Sequence, residues 1–150
     1  MKKSILLILL VALTHVTFAQ KKDKKKSANT TTEQVQEPRK IVFQLTSADT
    51  TAHKMLMKQL SNILSVAPET KIEVVCHGPG LSMLVAEKSI VAGQIKASAE
   101  KGVDFAACRF SMKERNVKEE QLMQNLRIVD AGIIEIVDKQ NAGWAYIKAG

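Results

Sequence analysis

An α/β fold, a five-stranded and mainly parallel sheet with helices on both of its faces, is what this sequence predicts, and three observations carry that reading. Short β-branched and apolar runs recur at residues 40–46, 71–76, 103–108, 127–129 and 144–147. Stretches with helical spacing lie between them, and Gly or Pro punctuates most of the joins. Strands that alternate with helices make βαβ units, whose crossovers cover both faces of a parallel sheet.

The elements follow in order. Pro38 precedes the first strand, whose run KIVFQLT has the continuous apolar character of a strand buried on both faces. Residues 46–50 offer several N-cap side chains, and Ala52, Leu56, Leu60, Ile63 and Leu64 then keep helical spacing until Pro68. Residues 71–76 form the second strand. HGPG at 77–80 makes a tight turn into a helix from about Leu81, and a further helix from about Ser89 to Lys101 is stopped by Gly102. The third strand ends at Cys108. Ser111 and Glu114 have capping-box spacing, so a helix is expected to open there and to run, with a break near Asn116, to about Gln124. After the short strand at 127–129, the β-branched residues 133–137 would suit another strand. Ile133, Val137 and Gln140 nevertheless hold helical spacing up to Gly143, which predicts a helix. Residues 144–147 complete the fifth strand.

The 150 residues suffice for one ordinary domain, expected over residues 40–150. Residues 1–19 read as a secretory signal peptide: Lys2 and Lys3 precede an apolar run from Ile5 to Leu13, and Thr17, Phe18 and Ala19 offer a small-residue cleavage site. A spanning helix needs about 20 apolar residues, and Thr14 and His15 interrupt this run, so the chain is expected to be exported to the periplasm or beyond and not to span the membrane. No Cys follows the site to take a lipid. Residues 20–39 carry six basic and three acidic residues with little apolar surface, and form a basic flexible linker.

The formal net charge of +7 suggests nucleic acid until it is divided along the chain. From Lys40 onward there are 14 basic and 12 acidic residues, so the basicity belongs to the leader and linker. With six aromatic residues in the whole chain, no stacking platform for single strands is in view, and no nucleic-acid partner is expected. The chain has no G-x-S-x-G elbow, HExxH or G-x-G-x-x-G, which removes support for hydrolase, metalloprotease and dinucleotide readings. No cofactor is expected.

Ligand sites of parallel sheets lie outside the carboxyl ends of the strands. Residues 46–49, 77–80 and 108–111 leave that edge, which nominates Ser47, His77, Gly78, Gly80, Cys108, Arg109 and Ser111. HGPG lacks the length and the Lys-Ser/Thr ending of a phosphate loop and more readily lets a ligand or another backbone approach closely. Cys76 and His77 are strand neighbours that point to opposite faces, so no metal site is expected of them.

Cys76 and Cys108 each close a strand on this edge. A disulfide needs Cα atoms about 4.4–6.8 Å apart, which only adjacent strands, about 4.8 Å apart, provide. In a flavodoxin-like order the first strand lies between the second and third, and both thiols stay free, which is the expectation here. Cys108 precedes a helix start and adjoins Arg109, with Lys113 and Arg115 in reach, features that favour a thiolate. The other reading of Cys108, a small buried residue that finishes a strand, stays open.

The runs IVFQLT (41–46), EVVCHGPG (73–80), GVDFAAC (102–108), AGIIE (131–135) and GWAYI (143–147) together resemble the DsrE/DsrF-like family over residues 40–150. The resemblance implies a three-layer α/β/α sandwich, flavodoxin-like in general architecture, assembly into homotrimers or hexamers, and kinship with proteins that hold or pass sulfur on a cysteine. It places the family cysteine on Cys108 and the turn histidine on His77. Where this branch usually continues Asn-Thr-Met, the present chain has Phe110, Ser111 and Met112.

Two functions are therefore expected to compete. In the first, Cys108 is a reactive nucleophile that handles or transfers sulfur, with His77 and Arg109 as polar neighbours and a small sulfur compound or a partner protein's thiol as reactant. In the second, the same crevice is a non-catalytic envelope module that binds a small molecule or a protein.

Overall fold

The computed structural model describes residues 37–150; the expected signal peptide and most of the linker lie outside the described residues. The chain runs β1 (Lys40–Leu45), α1 (Thr50–Val66), β2 (Lys71–Cys76), a 3₁₀ segment (Gly78–Leu84), α2 (Ala92–Ala99) and β3 (Asp104–Cys108). It continues with α3 (Arg109–Glu114), a 3₁₀ turn (Glu119–Gln121), β4 (Arg127–Val129), α4 (Gly132–Asn141) and β5 (Ala145–Ala149). The five strands form one sheet in the order β4-β3-β2-β1-β5, every pairing parallel.

Strand alternation sorts the sheet's side chains between two unequal cores. Phe43, Leu45, Ile72, Val74, Cys76, Phe105 and Ala107 join Leu56 and Leu60 of α1 and Ile95 of α2 in the larger one. Val42, Val75, Ala106 and Val129 face the other way and meet Ile136 of α4. The result is the expected three-layer α/β arrangement, with continuous apolar runs in the central strands because both faces are covered.

Local chemistry sets the boundaries. Asp49 caps α1 by accepting from Thr51 N–H at 2.8 Å, and the helix stops ahead of Pro68. The helix expected from Leu81 is only a 3₁₀ segment, because Val85 leaves helical geometry to form an antiparallel bridge with Leu122. Ala86 N–H donates to the Gln121 carbonyl beside it at 2.9 Å. Beyond this long-range pairing α2 begins only at Ala92, later than the expected start near Ser89. The helix expected to open at Ser111 begins instead at Arg109 with Cys108 in the N-cap position, and Asn116 at φ 52° breaks it as expected. Among the described residues no helix is long and apolar enough to cross a membrane.

The HGPG turn sits against the end of β1. A Cβ on Gly80 would lie 2.3 Å from the Leu45 carbonyl oxygen, so only glycine admits this approach, and His77 N–H donates to the same oxygen at 3.1 Å. The close approach expected of this turn is thus to a backbone within the chain.

Candidate functional site: a thiol at the start of two helices

β2 and β3 are neighbours, not separated by β1 as in the flavodoxin-like order. Register, not strand order, keeps the cysteines apart. Cys76 stands opposite Ala107, so Cys108 is one residue further along and points to the other face of the sheet. Both thiols are free. Cys76 is wholly enclosed in the larger core, and burial pushes its thiol well above the ordinary value.

Cys108 is differently placed. It ends β3 where the chain turns directly into α3, and the start of α4 lies against it. Gly132 N–H, at the first turn of α4, donates to Cys108 Sγ at 3.3 Å. Burial pushes the Cys108 thiol up, but the Gly132 N–H bond, with the Ser111 hydroxyl and the Ser111 and Phe110 main-chain N–H groups close by, outweighs it and holds the thiol below its ordinary value. The unpaired N–H groups and dipole of a helix start favour a negative sulfur. Ser111 is itself fixed, since its Oγ accepts from Gly78 N–H at 2.7 Å. The HGPG turn therefore orients the hydroxyl that serves the sulfur.

Gly132 is as constrained as Gly80. A Cβ there would meet Val75 Cγ1 at 3.1 Å, His77 Cβ at 3.2 Å and Cys108 Cβ at 3.3 Å. His77 and Cys108 thus flank one point, the first turn of α4. The His77 ring is held by Gln44, whose Nε2 donates to His77 Nε2 at 2.7 Å, and Gln44 Oε1 in turn accepts from the Tyr146 hydroxyl. With Nε2 accepting, the ring proton sits on Nδ1. Burial lowers the His77 pKa, which favours the neutral ring.

The remaining nominated residues divide. Gly78 and Ser111 join Cys108 and His77 in one constellation, and Gly80 permits it. Arg109 does not contribute its charge to the sulfur: it is exposed and paired with Glu119 at 2.9 Å and Asp130 at 3.2 Å. Main-chain N–H groups take the role that sequence proximity suggests for the guanidinium. Ser47 serves α1 instead, its Oγ accepting from Asp49 N–H at 3.1 Å and its carbonyl from His53 Nε2 at 2.8 Å. Gln44, Gly132 and Tyr146 escape a reading of the sequence. Gln44 had a signal, as a lone amide inside an apolar strand; Gly132 had a weaker one, a glycine opening a helix at the sheet's carboxyl edge. Among the described residues no three His, Cys, Asp or Glu side chains gather as metal ligands would.

Residues 39–149 match the model of the DsrE/DsrF-like family. The chain belongs to that family. No curated protein matches it. Among solved structures it is similar to MTH1491, a protein of unknown function from Methanobacterium thermoautotrophicum, at 26% identity and a TM-score of 0.70, covering 73% of this chain and 98% of that one. BT1422, a conserved protein of unknown function from Bacteroides thetaiotaomicron, shares the fold at 16% identity and a TM-score of 0.61, over 73% of this chain and 93% of that one. The DsrE-like domain thus comprises the whole sheet and both cores.

Proposed function

We propose that this DsrE-like protein receives and hands on a sulfur atom at Cys108. The observation that carries the reading is the cradle: the Cys108 sulfur accepts from Gly132 N–H at 3.3 Å beside the Ser111 hydroxyl and the start of α3, surroundings that lower the thiol pKa and so favour the thiolate, the form that attacks sulfur. With a persulfide donor, the Cys108 thiolate attacks the outer sulfur, the donor's S–S bond breaks, and the donor leaves as its thiolate. The outer sulfur with its proton is now bonded to Cys108, and no net oxidation has occurred. Attack by an acceptor thiolate on that outer sulfur reverses the roles. Incubation with a low-molecular-weight persulfide, followed by intact mass, tests this: one added sulfur on the parent and on Cys76→Ser, and none on Cys108→Ser, is the expected result.

A second reading has one observation in its favour: Cys108 is only 5% exposed. In that reading the crevice is a binding module for a small molecule or protein and the sulfur is its floor. Parent protein that takes up no sulfur from the persulfide would favour it.

The reading extends to assembly and location. A homotrimer or hexamer is supported by the exposed Ile133, Ile134 and Val137 on α4 and Tyr146 on β5, and by β5 lying at the sheet edge with one side unpaired. Export to the cell envelope rests on the leader-like residues 1–19. Solution scattering and the N-terminal sequence of protein recovered from the envelope fraction test the two; a single-chain mass, or an intact Met1 in the cytosol, would refute them.

A further inference from the structure

We propose that a buried ion network centred on Glu73 clamps α4 to the sheet and thereby holds the Gly132 N–H on Cys108 Sγ, which makes Glu73 and Lys139 positioning residues for the thiol. The inference rests on the thiolate reading of Cys108.

The apolar attachment of α4 is thin. Of its ten residues only Gly132 and Ile136 are buried, while Ile133, Ile134 and Val137 are exposed. Charged groups supply the rest. Glu73, in the middle of β2 and fully enclosed, meets Arg127 Nη2 at 2.6 Å through one carboxylate oxygen and Lys139 Nζ through the other. Arg127, at the start of β4, also holds Asp104 of β3 at 2.8 Å and Glu135 of α4 at 2.9 Å. Lys139 lies 3.6 Å from Glu135 and stands over the Trp144 ring at 4.4 Å from its centroid. Three strands are tied to one helix by these five charges.

The geometry turns that tie into a positioning device. Glu135 and Lys139 are three and seven residues from Gly132, about 5 and 10 Å along the axis at 1.5 Å per residue, so the network pins the helix along its length while its first residue is pressed on Cys108. A buried ion network is a costly way to gain stability, since apolar residues of similar volume often do as well. The Arg127 hydrogen bonds to Asp104 and Glu135 are directional where an apolar contact is not, and direction is what an N–H aimed at a sulfur requires.

The test uses Cys76→Ser protein, in which only Cys108 is labelled, and follows alkylation rate against pH. Lys139→Met should move the labelling midpoint up; a shift of one unit is about a tenfold slower reaction below the midpoint. Lys139→Arg should restore the parental profile. Glu135→Gln, at a less buried position, should give a smaller shift in the same direction and decides the matter if Lys139→Met does not fold. A lower Tm with an unmoved midpoint in these variants would overturn the proposal. An ordinary thiol midpoint in the parent would instead remove the thiolate reading itself, so the two failures are distinguishable.

Discussion

The main-chain N–H of Gly132 donates to Cys108 Sγ at 3.3 Å, joining the start of α4 to the end of β3 across 24 residues of sequence. Gly132→Ala would put a methyl group within 3.1–3.3 Å of Val75, His77 and Cys108. Overpacking of this kind costs roughly 1–3 kcal/mol. The α4 start must back away, so a fall in denaturant midpoint should accompany an upward shift of the Cys108 labelling midpoint.

Ser111→Ala removes a donor to the sulfur and leaves Gly78 N–H without its acceptor. A fully buried donor left unpaired costs about 1–3 kcal/mol, and the half-buried Gly78 N–H puts the expected loss toward the lower end of that range. Urea unfolding should show a loss of about 1 kcal/mol, and Ser111→Thr, which keeps the hydroxyl, should lose less of the thiol's reactivity than Ser111→Ala.

Stability should depend on pH through Cys108. Its folded pKa lies below the unfolded one, so between the two the unfolded chain binds the proton and the folded chain does not. Stability therefore rises with pH in that window and falls as pH drops through the folded pKa. In a Cys76→Ser background, the stability difference between Cys108 and Cys108→Ser proteins should grow from mildly acidic pH to about pH 8.5, the ordinary thiol value. A difference that is flat over that range would contradict the cradle.

His77 should titrate below about 6.5, the ordinary histidine value, because burial disfavours its charged form. Its ring nitrogens, followed by NMR, should show the Nδ1–H tautomer. Gln44→Leu removes the donor to Nε2 and should abolish that preference, whereas Tyr146→Phe should leave it in place with weaker definition.

Much of this was legible in the sequence where periodicity and punctuation agree. Residues 71–76 and 127–129 are strands as expected, and residues 133–137 are helical as expected, though the side chain turned inward is Ile136 while Ile133 and Val137 are exposed. The 3₁₀ segment after His77 was not legible, since the Val85–Leu122 bridge that ends it is a contact between distant parts of the chain. At the site, Cys108, His77 and Ser111 could be nominated from the sheet edge alone. Their relation could not, because it depends on β2 and β3 being neighbours and on which face each cysteine takes. Arg109 shows the hazard of adjacency in sequence: it is drawn to Glu119 and Asp130, while the donors that reach the sulfur include one from α4.

Cys108 is a thiol whose surroundings favour its ionised form, whereas Cys76 is an inert core residue. Alkylation rate against pH in Cys76→Ser and Cys108→Ser proteins tests this contrast most directly, because each protein reports one thiol. Cys108 should label with a midpoint below about 8.5, and Cys76, enclosed and with its thiol pushed up by burial, should label only as fast as the fold opens. A Cys108 midpoint at or above the ordinary thiol value, or faster labelling of Cys76 at neutral pH, would contradict the account.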